Sequence, residues 1–271
     1  VTCIMADVAG ILNKKDDEHH LRTLVETIRK NFNAAFYNDV THHYWEGKQG
    51  ADVFALAFGL VPEGKREKVF AALLGHLEKV NHFDTGILAT PLLLQVLTEN
   101  GRADLAYKLM NQRDFPSYGY LADKKNNTLW ETWNGDGNDE GCGHCHPMFG
   151  SVVAWFYHSL AGIKPDQSDP GMKHFYIEPM IVPDLKYCRA TYDSQYGKIS
   201  SDWKIDENGN LNLKIEVPAN TSATVIIPDW GGRTVLESGK PVSEVSNIVI
   251  DKVDSARMKV SSGVYHFVIL K

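Results

Sequence analysis

Apolar residues recur at helical spacing through about the first 165 residues of the chain. The spacing predicts a helix that is already under way at Val1 without a capping residue, and an amphipathic helix from about Asp17 to Phe36. It also predicts a helix that Pro62 opens and that runs to about Val80. Shorter helices are predicted at residues 51–58, 91–99 and 103–112. Residues 147–161 are apolar on nearly every side, which predicts a helix buried between others.

Loops rich in polar and aromatic residues follow every second predicted helix. This alternation is typical of a toroid of paired helices, in which the loops at one end gather around a single pocket. Four side chains that are far apart in the sequence are therefore expected to meet in such a pocket: Gln49, His82, Glu131 and His146.

The pattern changes at residues 162–171, GIKPDQSDPG, where prolines, glycines and aspartates indicate a boundary. Beyond it, apolar residues alternate with period two, as in residues 211–217, and residues 207–210, ENGN, join two such runs as a hairpin turn. The patterns together predict an α+β multidomain chain. Residues 1–168 are expected to form part of a helical toroid, and residues 169–271 an antiparallel β-sandwich.

The composition is that of a soluble globular protein, with 43% of the 271 residues hydrophobic, 23% charged and a formal net charge of −6. An acidic balance without a basic stripe argues against nucleic acid as a partner. The apolar runs are too short for a membrane-spanning helix. Cytoplasmic, periplasmic and secreted locations all fit this composition.

The stretch from Asn126 to Gly150, NNTLWETWNGDGNDEGCGHCHPMFG, carries the candidate chemistry. Glu131 stands between Trp130 and Trp133, and flat apolar rings would dehydrate its carboxylate and make it a usable general base. Indoles also stack on the apolar faces of sugar rings. The structural alternative is a half-buried glutamate with two tryptophans packed beneath it.

A metal site is the other chemistry that this stretch suggests. Cys142 and Cys145 stand in CxxC spacing, interleaved with His144 and His146, and thiolates and imidazoles are zinc ligands. Neighbouring side chains in such an alternation diverge, and a second CxxC or HxxxH motif does not follow. We therefore predict two thiols packed in a loop, with no metal and no other cofactor. The four cysteines are also too few for a disulfide framework in a chain of this size.

Several motifs together resemble, in order and spacing, the second half of the bacterial α-L-rhamnosidases of glycoside hydrolase family 78. They are AFGLVPEGKREKV, TGILATPLLLQVLTENGRADLAYKLM, FPSYGY, TLWETWNG, HCHPMFGSVVAWFYHSLAGIKPD and PGMKHFYIEP. The resemblance implies about half of an (α/α)6 catalytic barrel followed by a C-terminal β-sandwich, and inverting hydrolysis of terminal α-L-rhamnose. It implies Glu131 as the general base that activates water and His146 as a rhamnose contact. Further substrate-binding residues are predicted from their places in the pocket loops: Trp130, Trp133, Gln49 and His82.

The chain departs from the family in what it lacks. Inversion needs two carboxyl groups roughly 6.5–9.5 Å apart, and nothing here matches the family's general-acid motif. We expect a fragment whose acid and remaining helices lie in a missing N-terminal half, so that an apolar flank is exposed. If an acid does lie within the chain, Glu46, Asp84 and Asp136 are the first candidates. Gly143 and Cys145 replace the Ser and Asn that are frequent at those two places.

The expected substrate is a rhamnose-containing glycoside or polysaccharide. Two other function classes fit the same residues. One is a non-catalytic carbohydrate-binding or structural module, which would tolerate Glu131→Gln. The other is a different (α/α)6 glycosidase of the glucoamylase-like or trehalase-like kind.

Overall fold

The computed structural model describes residues 1–124, 128–134, 142–228, 231–251, 254 and 256–271. The chain divides into two compact units. The first comprises Val1–Gly101 and Lys108–Phe149, and the second comprises Arg102–Tyr107 and Gly150–Lys271. The domain limit between residues 168 and 169 stays a prediction.

The helices of the described residues follow the predicted order. Their bounds are α1 Thr2–Ile11, α2 Lys15–Phe36, α3 Gln49–Ala57, α4 Arg66–Val80, α5 Ala89–Glu99, α6 Ala103–Asn111, α7 Tyr118–Asp123, α8 Pro147–Gly150 and α9 Val152–Trp155. A π-helix, Phe156–Leu160, follows α9. Within these ranges, no helix is long and apolar enough to cross a membrane.

The structure corrects the predicted start of one helix and adds another helix. Helix α4 begins at Arg66, not at Pro62, because Gly64 has a φ of +71° and the Lys65 N–H donates to the Pro62 carbonyl, which makes a turn of this segment. The short helix α7 was not predicted. Ser117 caps it by accepting a hydrogen bond from the Tyr120 N–H at 3.0 Å.

The apolar segment 147–161 is not the continuous buried helix that its composition predicts. Its regular pattern breaks after Gly150, and Ala161 N–H donates to the Phe156 carbonyl five residues back, as in a π-helix. Phe149, Val152 and Leu160 are buried, whereas Val153 is 48% exposed. Local changes of helical pitch therefore turn some of its apolar side chains outward.

The hairpin formed by α1 and α2 carries the exposed apolar flank that the sequence predicts. Helix α1 buries only Ala6 and Ala9, and α2 buries no residue. The large apolar side chains of α1 are exposed: Ile4, Met5, Val8 and Ile11, followed by Leu12 after the helix. A shallow cavity of about 410 Å³ lies on this face, between α1 and the start of α2. The expectation of an uncovered apolar flank is confirmed.

A nine-stranded sheet forms the second unit. Its strands are β1 Ile163–Pro165, β2 His174–Ile177, β3 Tyr187–Ser194, β4 Gly197–Ile205, β5 Leu211–Ile226, β6 Val235–Glu237, β7 Lys240–Pro241, β8 Ile248–Ile250 and β9 Arg257–Ile269. All the pairings are antiparallel except that of β2 with β5, which is parallel with Phe175 opposite Ala223. The prediction of a helical part followed by a sheet domain is confirmed. The prediction of an antiparallel sheet is corrected at one pairing, because β2 and β5 are parallel.

The long strands β5 and β9 pair with each other, and each also pairs with two shorter strands: β5 with β2 and β4, and β9 with β6 and β8. The register between them shifts between Val217 and Ser222. Before the shift β5 pairs with β4, and after it β5 pairs with β2. The two halves can therefore lie in different layers of a sandwich over one core, in which Phe175, Trp203 and Phe267 are fully buried.

Candidate active site

Two short backbone segments, residues 128–134 and 142–146, form the scaffold of the candidate site. Glu131 N–H donates to the Gly143 carbonyl and His146 N–H donates to the Leu129 carbonyl, each at 2.8 Å. Thr128 Oγ1 adds a hydrogen bond to the His144 carbonyl. The acid candidate Asp136 lies outside the described residues. The two segments thus run side by side and bring Glu131 and His146 into one small region.

Within the described residues, a backbone group holds the carboxylate of Glu131. Gly143 N–H donates to Glu131 Oε2 at 3.0 Å, and the glutamate is half-buried. A Cβ atom at residue 143 would lie 3.3 Å from the same oxygen, which is a tight contact. Gly143 therefore contributes its backbone N–H, and the absence of a side chain lets the carboxylate approach closely.

The two tryptophans beside Glu131 have different surroundings. Trp133 is buried, and its indole N–H donates to the Thr85 carbonyl at 2.7 Å. Its ring centroid lies 5.6 Å from that of Phe83 and 4.3 Å from that of Phe149. Trp130 is only half-buried, with its ring centroid 5.3 Å from that of His144. Trp130 is thus accessible for stacking on a sugar, whereas Trp133 anchors the segment to the loop before α5.

The two ring nitrogens of His146 have different hydrogen-bonding roles. Met148 N–H approaches its Nδ1 at 3.4 Å, so the neutral imidazole carries its proton on Nε2. That N–H is a donor suited to a sugar hydroxyl. The side chain is half-buried, which suits recognition at the edge of a site.

Gln49 and His82 are linked to each other and to the loop that receives Trp133. Gln49 is fully buried, its Nε2 donates to the His82 carbonyl at 2.7 Å, and its Oε1 accepts from Asp84 N–H at 3.1 Å. His82 Nε2 pairs with Asp114 Oδ2 at 3.2 Å. The network joins the start of α3, the loop 82–85 and Trp133. Direct sugar contacts by Gln49 and His82 stay predictions.

The carboxyl groups proposed as an internal acid differ in their partners. Asp84 accepts from Gln49 N–H at 3.2 Å and pairs with His76 Nε2 at 3.0 Å, which makes it part of the same network. Glu46 is exposed and lines a different cavity. Neither has a hydrogen bond with the Glu131 segments among the described contacts.

A buried aspartate–histidine pair was missed by sequence reasoning. Asp52 is fully buried and accepts from Tyr44 N–H and from His43 Nδ1, both at 2.7 Å. Burial raises the pKa of this carboxyl, although its two hydrogen bonds act in the opposite direction. The pair fixes residues 43–44 against α3.

The sulfur atoms of CxxC lie in a loop. Cys142 Sγ is 3.4 Å from Thr132 Oγ1, and Cys145 is exposed. In the part of the chain that the structure describes, no group of three or more His, Cys, Asp or Glu side chains is arranged to hold a metal ion.

Family models match two consecutive parts of the chain. The model of the bacterial α-L-rhamnosidase 6-hairpin glycosidase domain matches residues 1–160. The model of the bacterial α-L-rhamnosidase C-terminal domain matches residues 162–240.

Curated relatives carry the same description over most of this chain. An α-L-rhamnosidase of Formosa agariphila is 31% identical over 273 residues, which cover 97% of this chain and 29% of the relative. An α-L-rhamnosidase of Streptomyces avermitilis is 36% identical over 217 residues, which cover 76% of this chain and 20% of the relative.

Solved structures agree with the sequence relatives. The structure of an α-L-rhamnosidase from Dictyoglumus thermophilum is similar with a TM-score of 0.86 at 32% identity, covering 100% of this chain and 31% of that one. The structure of the Streptomyces avermitilis α-L-rhamnosidase complexed with L-rhamnose is similar with a TM-score of 0.85 at 32% identity. The match covers 99% of this chain and 26% of that one. The chain therefore spans less than a third of the length of the proteins it resembles.

Proposed function

Because this chain belongs to the bacterial α-L-rhamnosidases of glycoside hydrolase family 78, we propose that it supplies the general-base side of a site that removes terminal α-L-rhamnose. The observation that carries the proposal is the half-buried Glu131 carboxylate, whose Oε2 accepts a hydrogen bond from the Gly143 N–H at 3.0 Å. A carboxylate oriented in this way can accept a proton from a water molecule as that water attacks the anomeric carbon.

The proposed reaction inverts the anomeric configuration. Glu131 deprotonates the water on one face of the sugar ring, and a second carboxyl group protonates the leaving oxygen on the other face. The bond between the anomeric carbon and the leaving oxygen breaks as the bond to the water oxygen forms. His146 Nε2–H donates to a rhamnose hydroxyl, and Trp130 stacks on the apolar face of the ring. Trp133, Gln49 and His82 hold the loops in place and stay weaker candidates for direct contact.

We assign the general acid to polypeptide beyond these 271 residues. Asp84 is engaged with Gln49 and His76, and Glu46 lines another cavity. The relatives are more than three times as long as the region they share with this chain. The uncovered apolar face of α1 and α2 supports the same proposal, because further helices of the barrel would bury it. In the following, the complete enzyme means this chain together with the further polypeptide that the proposal requires.

The test uses an aryl α-L-rhamnoside and a natural rhamnoside with a poor leaving group. The 271-residue chain should cleave the natural substrate not at all and the nitrophenyl compound at most in traces, because general acid catalysis is worth roughly 10²–10⁴-fold. Efficient cleavage of the natural rhamnoside by the chain alone would place the acid inside it.

The role of Glu131 is tested in the complete enzyme. Glu131→Gln should lower kcat by several orders of magnitude with little change in KM. Glu78→Gln, which alters an exposed glutamate of the same unit, is the matched control and should leave both constants unchanged. A Glu131→Gln enzyme of near wild-type activity would favour a non-catalytic role, and cleavage of other aryl glycosides instead of the rhamnoside would favour a different (α/α)6 glycosidase.

A further inference from the structure

A second cavity lies at the C-terminal end of α2, where the chain enters the loop before α3. Its volume is about 570 Å³, and like the cavity on α1 it is shallow and open to solvent. The lining residues are Ala35, Phe36, Tyr37, Asn38, Asp39, Trp45 and Glu46. None of them belongs to the segments that carry Glu131 and His146, so this cavity is a separate feature of the helical unit.

Trp45 provides a flat and supported apolar surface in this cavity. Its side chain is 63% exposed, which is unusual for an indole, while its ring centroid lies 5.4 Å from that of Phe36. One side of the indole is therefore backed by an aromatic ring and the remainder faces solvent. Trp45 N–H donates to the Phe36 carbonyl at 2.8 Å, which fixes the start of the side chain.

The backbone at Trp45 is held in a costly conformation. Its φ is +54°, in the left-handed region that a bulky residue rarely adopts and that costs about 1–2 kcal/mol. The strand-like bridge between Tyr37 and Tyr44 and the hydrogen bond from Gly47 N–H to the Tyr44 carbonyl maintain this turn. Strain of this kind is common at ligand sites.

Hydrogen-bonding groups of both kinds surround the indole. Asp39 accepts from Lys65 Nζ at 2.7 Å, and this ammonium group lowers the pKa of the Asp39 carboxyl, which keeps it an acceptor. Asn38 Oδ1 accepts from the Val40 and Thr41 N–H groups, so its NH₂ is the end that can donate to a ligand. Glu46 adds a second carboxylate. Lys65 neutralises Asp39, so this carboxylate is paired, and a neutral polyhydroxylated ligand can use the donors and acceptors alike.

We propose that this cavity is a second saccharide-binding site, in which Trp45 stacks on the apolar face of a neutral pyranose and Asp39, Asn38 and Glu46 bind its hydroxyl groups. The proposal does not depend on Glu131 acting as a base. It concerns binding alone, and it assigns to the Trp45 loop a function that is separate from catalysis.

The test is a titration of the 271-residue chain, with its indole ¹⁵N–¹H groups observed by NMR. The probes are methyl α-L-rhamnopyranoside, methyl α-D-glucopyranoside and, as a cationic probe, tetramethylammonium. At least one glycoside should shift the Trp45 indole signal in a saturable manner, and tetramethylammonium should not. The Trp130 signal reports separately on the Glu131 region, so failure of one site is distinguishable from failure of the other.

The variant Trp45→Gly separates binding from folding. Glycine adopts a φ of +54° without strain, so the substitution removes the ring and should leave the melting temperature close to that of the parent chain. Affinity measured at this site should fall by about tenfold or more, as expected for loss of a stacking surface. Tyr187→Ala, which removes a 68% exposed aromatic residue of β3, is the control and should not alter binding.

Several results would overturn the proposal. They are saturable binding of tetramethylammonium in preference to both glycosides, glycoside shifts confined to Trp130, the absence of any glycoside binding, and equal losses of affinity in Trp45→Gly and Tyr187→Ala.

Discussion

Replacing Trp133 by phenylalanine tests whether this tryptophan anchors the Glu131 segment. The indole N–H donates to the Thr85 carbonyl at 2.7 Å, and phenylalanine has no such donor. The Thr85 carbonyl keeps a second, longer hydrogen bond from Thr90 Oγ1 at 3.3 Å. Loss of the indole donor should therefore lower the free energy of unfolding by an amount near the low end of the roughly 1–3 kcal/mol for an unpaired buried group.

Packing adds to this loss. Trp133 lies in an aromatic cluster with Phe83, Tyr118 and Phe149, and the smaller ring leaves part of that space unfilled. We therefore expect Trp133→Phe to reduce the free energy of unfolding of the helical unit by about 2–3 kcal/mol, and Trp133→Ala by about 3–5 kcal/mol. Trp130→Ala is the matched control, because Trp130 is only half-buried, and it should cost about 1 kcal/mol or less.

The assay is urea unfolding followed by near-ultraviolet circular dichroism and by tryptophan fluorescence. Two probes are needed because two compact units need not unfold together. The transition that contains the helical unit should shift in the order Trp133→Ala, Trp133→Phe, Trp130→Ala. A Trp130→Ala variant that is less stable than Trp133→Phe would refute the assignment of anchor and exposed ring.

Three further predictions concern the hydrogen bonds of the site. His146→Ala should weaken binding of L-rhamnose to the complete enzyme by about 1–3 kcal/mol in calorimetry, and unchanged affinity with a lower melting temperature would instead assign His146 to capping. Gly143→Ala should lower kcat about tenfold with a smaller effect on KM, because the added Cβ would lie 3.3 Å from Glu131 Oε2 and push this oxygen away. An unchanged kcat would show that the carboxylate tolerates the shift. Burial raises the pKa of Asp52, so the folded chain holds this proton more tightly than the unfolded chain. The stability that it contributes is present below its ordinary pKa of about 3.8 and lost as the pH rises through the raised value. Melting temperatures measured across this range, relative to Asp52→Asn, should fall as the pH rises, and a rising difference would contradict the sign.

The order of elements was predictable from periodicity, because apolar residues recur on one face of the helices and strands. The predictions were wrong where the backbone, and not the pattern of apolar residues, determines the structure. Pro62 favours a first turn of a helix, but Gly64 in the left-handed region delays α4 to Arg66. The parallel pairing of β2 with β5 leaves no trace in an alternating pattern, because alternation specifies faces and not strand direction.

In the candidate site, the sequence indicates the functional side chains but not the backbone groups that hold them. Glu131 and His146 stand out in the sequence because of their residue types and their resemblance to a family. The groups that hold this region are the Gly143 N–H and the Thr85 carbonyl, and backbone atoms carry no residue-specific signal. Gln49 is predicted as a sugar ligand because it is polar in a pocket loop, and a direct sugar contact stays a prediction. Its amide is hydrogen-bonded to the backbone of residues 82 and 84, which the sequence does not indicate.

Burial along the helical unit indicates which of its faces another part of the barrel would cover. Helix α5 buries seven of its eleven residues and α3 buries five of nine, whereas α2 buries none of its 22. Every hairpin of a closed toroid has neighbours on both sides, so the α1–α2 hairpin, which buries only Ala6 and Ala9, is an open edge. The hydrogen bonds that join Gln49, the loop 82–85 and Trp133 all lie within this chain. In the proposed site the segment that carries Glu131 is held by groups of this chain, the Gly143 N–H and the Thr85 carbonyl. Helix α1 and the start of α2 offer the apolar surface on which the acid side would be assembled.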